Sequence, residues 1–594
     1  MKGRARALSP GLCLTTGELQ MKEQLQHWQQ AWQRLIAPGA PFEVVESDDG
    51  IRHFRNAPAH LVEAVQTGRV FSERPFLLWQ DQQLNYGEFY QAADRLTAHL
   101  VRTLGVRPGK RVAIAMRNRP EWLVAFIAAV QAGAVPVPLN SWGLRDELLN
   151  ALEDVEAAVL VCDGARLSLV ADALATQNVQ ALVVDAEAGE GVLSYAELLR
   201  EPVEPVTLYS PDPDEPALIL FTSGTTQRAK AVVSSHRAVS QALYALEFQG
   251  AFAGMTSYER IRPLLESGLQ PTLLLAVPLF HVSGLHAMFL NALRSGRRMV
   301  MMYKWDVDQA LELVARERCT QFSGAPVMMQ QMLAHPRFAS EETRSLIGLG
   351  LGGGAASARL LDQLIGLKPD ALTGAGYGLT ESNGIGAAYA GNQFVARPGS
   401  AGWALPIVDI RIGEDPWHAL PPGQAGPIWL RAPTLMQGYR NRREETEQAL
   451  REGWLYTGDV GLVDEDGFLR IIDRIKDLII RGGENISALE IEHCACSHPA
   501  VSEAAAFALP DEQMGECVGL VACLHPEAHL AKRSCAAIWP SGWRPTSCPR
   551  SCCCDGSLCH ATPWANWSSR RSSSCCNLCP RLAEVGRRQP SCAG

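Results

Sequence analysis

The chain has 594 residues, of which 47% are hydrophobic and 20% charged, and its formal net charge is −9. This length can bury several independent cores, and the composition is typical of a folded globular protein rather than a disordered one. The acidic balance excludes the basic footprint that nucleic acid or an anionic membrane requires, and it favours a small-molecule substrate.

The first half of the chain alternates short apolar runs with helical patterns. An amphipathic stretch that opens at Met21 predicts a leading helix. Beyond it the pattern predicts strands at 111–116, 135–139 and 159–162 and a helix at 120–132. Strands separated by helices predict parallel βαβ units and therefore an α/β domain.

Further short apolar runs predict strands at 218–221, 273–277 and 299–302. The apolar stretch at 273–293 contains Pro278, His281 and His286, so it predicts a buried strand and a helix rather than a membrane span. Because residues 1–20 also lack the pattern of a secretory signal, we expect a cytoplasmic protein without a transmembrane segment.

The residue pattern changes near residue 415. Turns rich in Pro and Gly, followed by short strands at 427–431 and 468–472, predict a β subdomain. A strand at 478–480 and a helix from Ser487, with a capping box to Glu490, begin a smaller unit. We therefore predict an N-terminal extension with a leading helix at 1–50, a large domain at 51–472, the start of a small domain at 473–531 and an aberrant tail at 532–594.

A hydroxyl- and glycine-rich loop follows the apolar strand at 218–221. It consists of Thr222, Ser223, Gly224, Thr225 and Thr226, and it leads to Lys230. Backbone N–H groups, hydroxyl donors and one ammonium group suit a triphosphate, whose oxygens need directed donors and whose charge needs offsetting. The loop predicts a phosphate cradle, although the same residues also suit a Ser/Thr-rich surface turn.

Six motifs then occur in one order along the chain. They are FTSGTTQRAK (221–230), PLFHVSG (278–284), GGGAA (352–356), YGLTES (377–382), YTGD (456–459) and DRIKDLIIRGGENIS (473–487). In this order they resemble the signatures of the adenylate-forming superfamily, which includes acyl-CoA synthetases, luciferases and nonribosomal peptide adenylation domains. The resemblance covers about residues 60 to 525.

The resemblance implies an α/β fold with a large N-terminal domain of βαβ-type subdomains plus a β subdomain. A small mobile α+β C-terminal domain would follow, here cut short or frameshifted. The resemblance also implies a carboxylic acid substrate, ATP, Mg²⁺ and CoA as co-substrate, and no nucleic-acid partner. A homodimer is one assembly that it allows.

The resemblance assigns roles to individual residues. Glu381 takes the place of the acid that contacts Mg²⁺, Thr380 lies near the α-phosphate, and Lys230 is the third catalytic group. Asp459 takes the place of the acid that holds both ribose hydroxyls, with Arg474 as a second ribose contact. These positions are expectations that the tertiary structure must bring together.

The glycine motifs are expected to line the nucleotide. Gly353, Gly354 and Ala355 would form a thin wall against adenine, where the lack of side chains lets the backbone approach the base. Tyr377 and Gly378 are expected to bind nucleotide as well.

Four further positions concern the acyl group and the small domain. His281 is expected beside the acyl-adenylate and the thiol tunnel, and as a catalytic residue, although a satisfied core histidine suits the same position. Asp473 resembles the hinge of the small domain. Gly482 and Gly483 would then face the site in a second domain orientation and bind the co-substrate.

The phosphate loop departs from the usual pattern of the superfamily. Gln227, Ala229 and Ala231 stand where Gly, Pro and Gly are common, and a Gly-to-Gln change removes easy access to positive φ. Because the Ser-Gly-Thr-Thr core and Lys230 remain, we expect ATP binding to persist.

Residues 532–594 differ in composition from the rest of the chain. They contain ten of its 17 cysteines and show no helix or strand periodicity. The superfamily expects a Pro-Arg-Asn-x-x-Gly-Lys segment there, whose lysine offsets charge that develops during adenylation. Trp564-Ala565-Asn566-Trp567 must be encoded TGG GCN AAY TGG, and the frame one nucleotide earlier reads Gly, then Lys, Gln or Glu, then Leu. We therefore hypothesise a frameshift near Lys532.

These observations predict an AMP-forming acid–thiol ligase. It would convert a carboxylic acid, fatty or aryl and of the fatty type in preference, into an acyl-adenylate with release of pyrophosphate, and then into a CoA thioester. Two alternatives stay open: an adenylation enzyme that loads a carrier protein, and a catalytically impaired ATP- or acyl-binding protein that lacks the C-terminal lysine.

Overall fold

The computed structural model describes residues 16–189, 191–222, 228–354, 356–481, 484–498, 500–511, 514–524 and 551–554. The predicted site residues Ser223, Gly224, Thr225, Thr226, Ala355, Gly482 and Gly483 lie outside these described residues. Within them the predicted mixed α/β architecture is confirmed.

The N-terminal part begins with a long helix. Its elements are α1 (Thr16–Ile36), β1 (Val44–Glu46), β2 (Arg52–Phe54), α2 (Leu61–Gln66), β3 (Pro75–Trp79), β4 (Gln82–Asn85) and α3 (Tyr86–Arg102). The predicted leading helix is thus present as α1. Asn85 and Glu88 form a capping box that fixes the start of α3, since each side chain binds a backbone N–H of the first turn.

A parallel sheet follows. Its elements are β5 (Arg111–Ala115), α4 (Pro120–Gln131), β6 (Val135–Pro138), α5 (Arg145–Val155), β7 (Val159–Cys162), α6 (Gly164–Leu174), β8 (Gln180–Val183), β9 (Val192–Ser194) and α7 (Tyr195–Leu198). The strands lie in the order β6-β5-β7-β8-β9, and every neighbouring pair is parallel. The predicted strands and the helix after Pro120 are confirmed, as is the βαβ pattern.

An antiparallel hairpin and two helices come next: β10 (Pro216–Thr222), β11 (Lys230–Ser235), α8 (His236–Thr256) and α9 (Tyr258–Ser267). Ser235 caps α8, because its hydroxyl accepts the N–H of Ala238. The predicted phosphate loop falls between these two strands in the sequence, and its residues 223–227 lie outside the described residues.

The second parallel region contains β12 (Thr272–Leu275), a π-helix (Ser283–Leu290), α10 (Asn291–Ser295), β13 (Arg298–Met301), α11 (Val307–Glu317), β14 (Gln321–Gly324), α12 (Pro326–Ala334), β15 (Gly348–Leu351), α13 (Ala358–Leu367) and β16 (Leu372–Tyr377). From β16 the strands run β16-β15-β14-β12-β13-β3 in parallel. The first and second parallel sheets share one large hydrophobic core around α4.

The remaining large-domain elements are mostly antiparallel strands. They are β17 (Ala387–Ala390), α14 (Asn392–Ala396), β18 (Gly402–Ala404), β19 (Asp409–Ile412), β20 (Gly426–Arg431), β21 (Gly438–Tyr439), α15 (Arg443–Ala449), β22 (Leu450–Arg451), β23 (Trp454–Val463) and β24 (Phe468–Arg474). The predicted β region is therefore present. Its strands continue the second parallel sheet through β17 and β18, so among the described residues one sheet of 14 strands runs through both regions.

The last described part is a small α+β unit. It contains β25 (Ile479–Arg481), β26 (Glu484–Ile486), α16 (Ala488–Ser497), β27 (Val501–Asp511), β28 (Gly515–Leu524) and β29 (Ser551–Cys554). Ser487 caps α16, as predicted, by accepting the N–H of Glu490 at 3.0 Å. The tail showed no strand pattern, yet residues 551–554 pair in parallel with β28.

Candidate active site

The hairpin of β10 and β11 brings the two described ends of the predicted phosphate loop together. Thr222 and Lys230 are paired residues across the two strands, with the loop between them. Both residues line a cavity of about 3080 Å³. The two described ends of this segment therefore lie on the cavity wall.

Lys230 and Glu381 meet the same tyrosine. The Nζ atom of Lys230 lies over the ring of Tyr439, 4.6 Å from its centroid. The hydroxyl of Tyr439 donates a hydrogen bond of 2.8 Å to Oε1 of Glu381. Burial and the charge of Glu381 raise the pKa of Tyr439, so the phenol remains a proton donor.

Tyr439 was not predicted from the sequence. It follows Gly438 in a strand of two residues, and neither its residue type nor its neighbours distinguish it from a core tyrosine. The pairing of Val232 with Tyr439, which carries the ring to the hairpin, joins residues more than two hundred positions apart. The Gly-Tyr pair after an apolar strand was the available signal, and it is a weak one.

Thr380 and Glu381 lie on a tight turn after β16. Thr380 opens a 3₁₀ turn (Thr380–Ser382), and Asn383 ends it in a left-handed conformation with φ 53°. Gly378 is required here, because a Cβ at this position would lie 2.3 Å from the backbone of Gly384. The close approach of the two glycines directs Thr380 and Glu381 to the cavity, which both residues line.

Asp459, Tyr377 and Arg474 form a second polar group on the cavity wall. The Tyr377 hydroxyl donates to Oδ2 of Asp459 at 2.7 Å, and Nε of Arg474 lies 3.2 Å from Oδ1. Asp459 and Arg474 are paired residues of β23 and β24. The pKa of Asp459 is raised by burial, although the hydrogen bond from Tyr377 and the charge of Arg474 oppose this.

The glycine motif after β15 borders open space. Added Cβ atoms at Gly352 and Gly353 would meet nothing within 4 Å, and one at Gly354 would meet only Pro326 at 3.8 Å. Gly353 has a φ of +77°, which side chains disfavour. All three glycines line the cavity, so a flat ring could approach the backbone here without meeting a side chain.

His281 and His286 also line the cavity. Burial lowers the pKa of each ring to about 4, so both are neutral at pH 7. The ring of His281 packs beside Phe280, with 4.4 Å between centroids. His286 lies in the π-helix and is 1% exposed, and neither ring nitrogen makes a hydrogen bond of normal geometry among the described residues.

Asp473, expected as the hinge, connects β24 to the small unit. Its Oδ2 atom accepts hydrogen bonds from the Ser487 hydroxyl at 2.7 Å and from the Leu489 N–H at 3.1 Å. The carboxylate thus caps α16, while the backbone of Asp473 pairs with Val460 in the large sheet. One residue is therefore held by both units.

Two features are absent from the residues that the structure describes. No three or more His, Cys, Asp or Glu side chains gather there in a way that could hold a metal ion. In the same part of the chain, no helix combines the length and apolarity that crossing a membrane requires.

Known proteins are similar to this chain in sequence and in fold. Residues 65–440 match the family of AMP-binding enzymes. A feruloyl-CoA synthase of Amycolatopsis is 34% identical over 440 residues, which are 73% of this chain and 82% of that protein. A long-chain-fatty-acid–CoA ligase of Mycobacterium tuberculosis is 32% identical over 437 residues, 73% of this chain and 82% of the relative. The chain belongs to the AMP-binding enzyme family.

A solved structure agrees with this assignment. The o-succinylbenzoate-CoA synthetase of Bacillus subtilis, in complex with ATP and a magnesium ion, has a TM-score of 0.68 and is 27% identical. The match covers 83% of this chain and 95% of that one. Within the family the chain is an AMP-forming acid–thiol ligase, and the resemblance carried by the six motifs is confirmed.

Proposed function

We propose that this chain uses ATP to join an apolar carboxylic acid, of the fatty type, to CoA through an acyl-adenylate. The observation that carries the proposal is the common cavity. Every predicted site residue that the structure describes lines it, from Thr222 and Lys230 to Glu381, Asp459 and Arg474. Residues from six separated motifs converge there on one space.

The groups present suit a nucleotide. Thr222, Lys230 and the loop between them offer hydroxyl and ammonium donors for phosphate oxygens. The open space along glycines 352–354 suits a planar base, and the Asp459 carboxylate suits two ribose hydroxyls. Glu381 would hold Mg²⁺ jointly with phosphate oxygens, and the ion would supply neutralisation of phosphate charge.

The reaction that follows has two displacements. A carboxylate oxygen of the acid attacks the α-phosphorus, the bond to the pyrophosphate oxygen breaks, and pyrophosphate leaves. The sulfur of CoA then attacks the acyl carbon, its proton is lost to solvent, and AMP leaves. Thr380 would face the α-phosphate in the first step, and Lys230 would offset the charge that develops there.

His281 would orient the acyl-adenylate rather than remove a proton. Because burial lowers its pKa to about 4, the neutral ring is a weak base at pH 7. It can still donate or accept one hydrogen bond at the cavity wall.

The acyl group would occupy the part of the cavity beside α8 and α9. Most residues of this wall are small or apolar, among them Leu246, Gly250, Ala253, Gly254, Ile261 and Leu264. The wall also contains Gln249 and Glu247, and the carboxylate of Glu247 is paired with Arg294. Such a wall favours apolar area over charged substituents, which supports a fatty acid before a second-acid or amino-acid substrate.

The proposal is tested by AMP formation from ATP across a series of saturated fatty acids, with ferulate beside them. We expect activity that depends on CoA and changes steadily with chain length. The same assay with a pantetheinylated carrier protein in place of CoA tests the carrier-loading alternative. Activity with ferulate alone, or with the carrier protein alone, would contradict the proposed substrate or acceptor.

One observation favours a second candidate, an ATP-binding protein with impaired adenylation. No lysine follows Lys532 in the sequence, and the lysine expected there offsets charge in the adenylation step. Calorimetry that detects ATP binding, together with absent pyrophosphate exchange for every acid, would favour this candidate over the ligase.

A further inference from the structure

One connecting segment, residues 434–440, joins the two halves of the phosphate site. On the side of strand β11, the N–H groups of Gln437 and Arg440 donate to the carbonyl oxygens of Val233 at 2.8 Å and Ala231 at 2.9 Å. On the side of the Glu381 turn, the Met436 N–H donates to the carbonyl oxygen of Glu381 at 2.8 Å. The Asn383 side-chain amide of the same turn donates to the carbonyl oxygen of Thr434 at 2.9 Å. The segment therefore holds strand β11, which begins at Lys230, and the turn of Glu381 in one fixed relation.

Tyr439 is the residue of this segment that reaches both functional side chains. Its ring faces the Lys230 ammonium at 4.6 Å, and its hydroxyl binds Oε1 of Glu381 at 2.8 Å. Its own backbone is fixed as well, because its N–H donates to Oγ1 of Thr446 at 2.9 Å. The side chain has little freedom to leave this position.

We infer that Tyr439 is a positioning residue that sets the relation between the phosphate-binding Lys230 and the magnesium-binding Glu381. The hydroxyl occupies one oxygen of the carboxylate and leaves the other for the ion. The ring faces the ammonium and keeps it available for phosphate. The inference rests on the proposed function, since the roles of Lys230 and Glu381 come from there.

Lys230 and Glu381 carry opposite charges, and keeping them apart leaves both side chains available to ligands. Among the described residues neither Lys230 nor Glu381 takes part in an ion pair, although both contact Tyr439. A direct pair between them would occupy the ammonium donors and the carboxylate oxygens that phosphate and Mg²⁺ need. An aromatic ring attracts a cation without taking a formal negative charge, so it can hold the lysine and still release it to a phosphate.

The two functions of Tyr439 can be separated by substitution. Tyr439→Phe keeps the ring and removes the hydroxyl, and Tyr439→Leu removes both. Tyr244→Phe is the matched control, because its hydroxyl binds the backbone oxygen of Pro41 instead of a residue of the site. Calorimetry of ATP binding to the full chain, with and without Mg²⁺, is the readout, and circular dichroism melting confirms that each variant folds.

For Tyr439→Phe we expect the gain in ATP affinity on adding Mg²⁺ to shrink about 10-fold, since a hydrogen bond to a charged group is lost, while Mg²⁺-free binding stays unchanged. For Tyr439→Leu we expect Mg²⁺-free binding to weaken as well. A loss of both affinities in equal proportion in Tyr439→Phe, or no loss, would overturn the inference.

Glu381→Gln distinguishes the inference from the function on which it rests. If Glu381→Gln removes the Mg²⁺ gain and Tyr439→Phe keeps it, the inference fails and the proposed function stands. If Glu381→Gln leaves the Mg²⁺ gain intact, or if the unaltered chain binds no ATP, the proposed role of Glu381 fails and takes the inference with it.

Discussion

Opposing forces act on the Asp459 carboxylate. It is 4% exposed, and burial raises its pKa, while the Tyr377 hydroxyl and the Arg474 guanidinium stabilise its charged form. A carboxylate held in this way is already desolvated and oriented before a ligand arrives. In the proposed role, two ribose hydroxyls would bind to it at little further cost.

We predict that Asp459→Asn weakens ATP binding about 10-fold or more, because an amide offers one acceptor oxygen in place of two charged ones. Calorimetric titration with ATP measures the change. Asp415→Asn is the control, since among the described residues this carboxylate accepts hydrogen bonds from Trp417 and His418 of its own loop. Equal ATP affinity of Asp459→Asn and the unaltered chain would contradict the ribose role.

The buried histidines predict how stability depends on pH. Burial lowers the pKa of His236 and of His286 from 6.5 to about 4. Between pH 6.5 and about 4 these histidines are protonated in the unfolded chain but neutral in the folded chain. The free energy of unfolding therefore falls as the pH falls from 6.5 toward 4. Each ring can contribute up to about 3 kcal/mol to this loss.

Chemical denaturation at a series of pH values measures this slope. His286→Asn should reduce it, because a polar group that does not titrate replaces the ring. His27→Asn, which replaces an exposed ring, controls for the substitution itself. A free energy of unfolding that stays constant across the acidic range would show that these rings are not held neutral.

At the scale of elements, α1 packs against the large sheet, although it lies outside the residues that match the family, 65–440. Trp28 is 1% exposed, and its ring meets those of Trp403 and Phe468 edge-to-face at 6.3 and 6.4 Å. Trp32 packs against Phe248 of α8 at 4.8 Å. The helix thus joins α8 to β18 and β24, the strand that leads to Asp473.

We predict that Trp28→Ala lowers the free energy of unfolding by about 3–5 kcal/mol, since a large buried ring would leave a cavity. Trp417→Ala removes a ring that is 50% exposed and serves as the control. Urea denaturation followed by circular dichroism compares the two. Similar stabilities of both variants would mean that α1 contributes little to the fold.

At the scale of the whole molecule, we propose that the boundary between the large domain and the small unit lies at Asp473. Its backbone belongs to β24, and its carboxylate caps α16. A rotation of the small unit would therefore turn about a residue that both units hold. The divisions at residues 50 and 531 remain predictions from the sequence.

The tail gives a prediction about the two half-reactions. We expect the chain to form thioester from supplied acyl-adenylate, and to form the adenylate about 10²–10³-fold more slowly than a frame-restored chain, because one preorganised charge contact is missing. Pyrophosphate exchange and thioester formation measure the two steps separately. The frame-restored chain with its regained lysine changed to alanine is the matched control.

Resequencing the gene near Lys532 tests the frameshift itself. We expect the restored reading frame to encode a Pro-Arg-Asn-x-x-Gly-Lys segment before position 567. An intact reading frame across this point, or equal adenylation rates with and without restoration, would remove the basis of the hypothesis.

The sequence by itself determined the class of the protein. The strand and helix periods predicted the βαβ units, because side-chain spacing follows backbone geometry and is local. Short motifs at 222–230, at Thr380 and Glu381, and at Asp459 predicted the nucleotide-binding residues, since each motif holds its chemistry within a few positions. The small unit was visible in the same way, through the cap at Ser487.

Only the tertiary structure decided which side chains meet. The contact of Tyr439 with Lys230 and Glu381 depends on β21 pairing with β11, and the Tyr377–Asp459 bond depends on β16 and β23 reaching one cavity. The continuation of the parallel sheet into the β region, and the docking of α1 on Trp403, are likewise long-range. Such contacts follow from the packing of whole elements, which no local spacing of residues records.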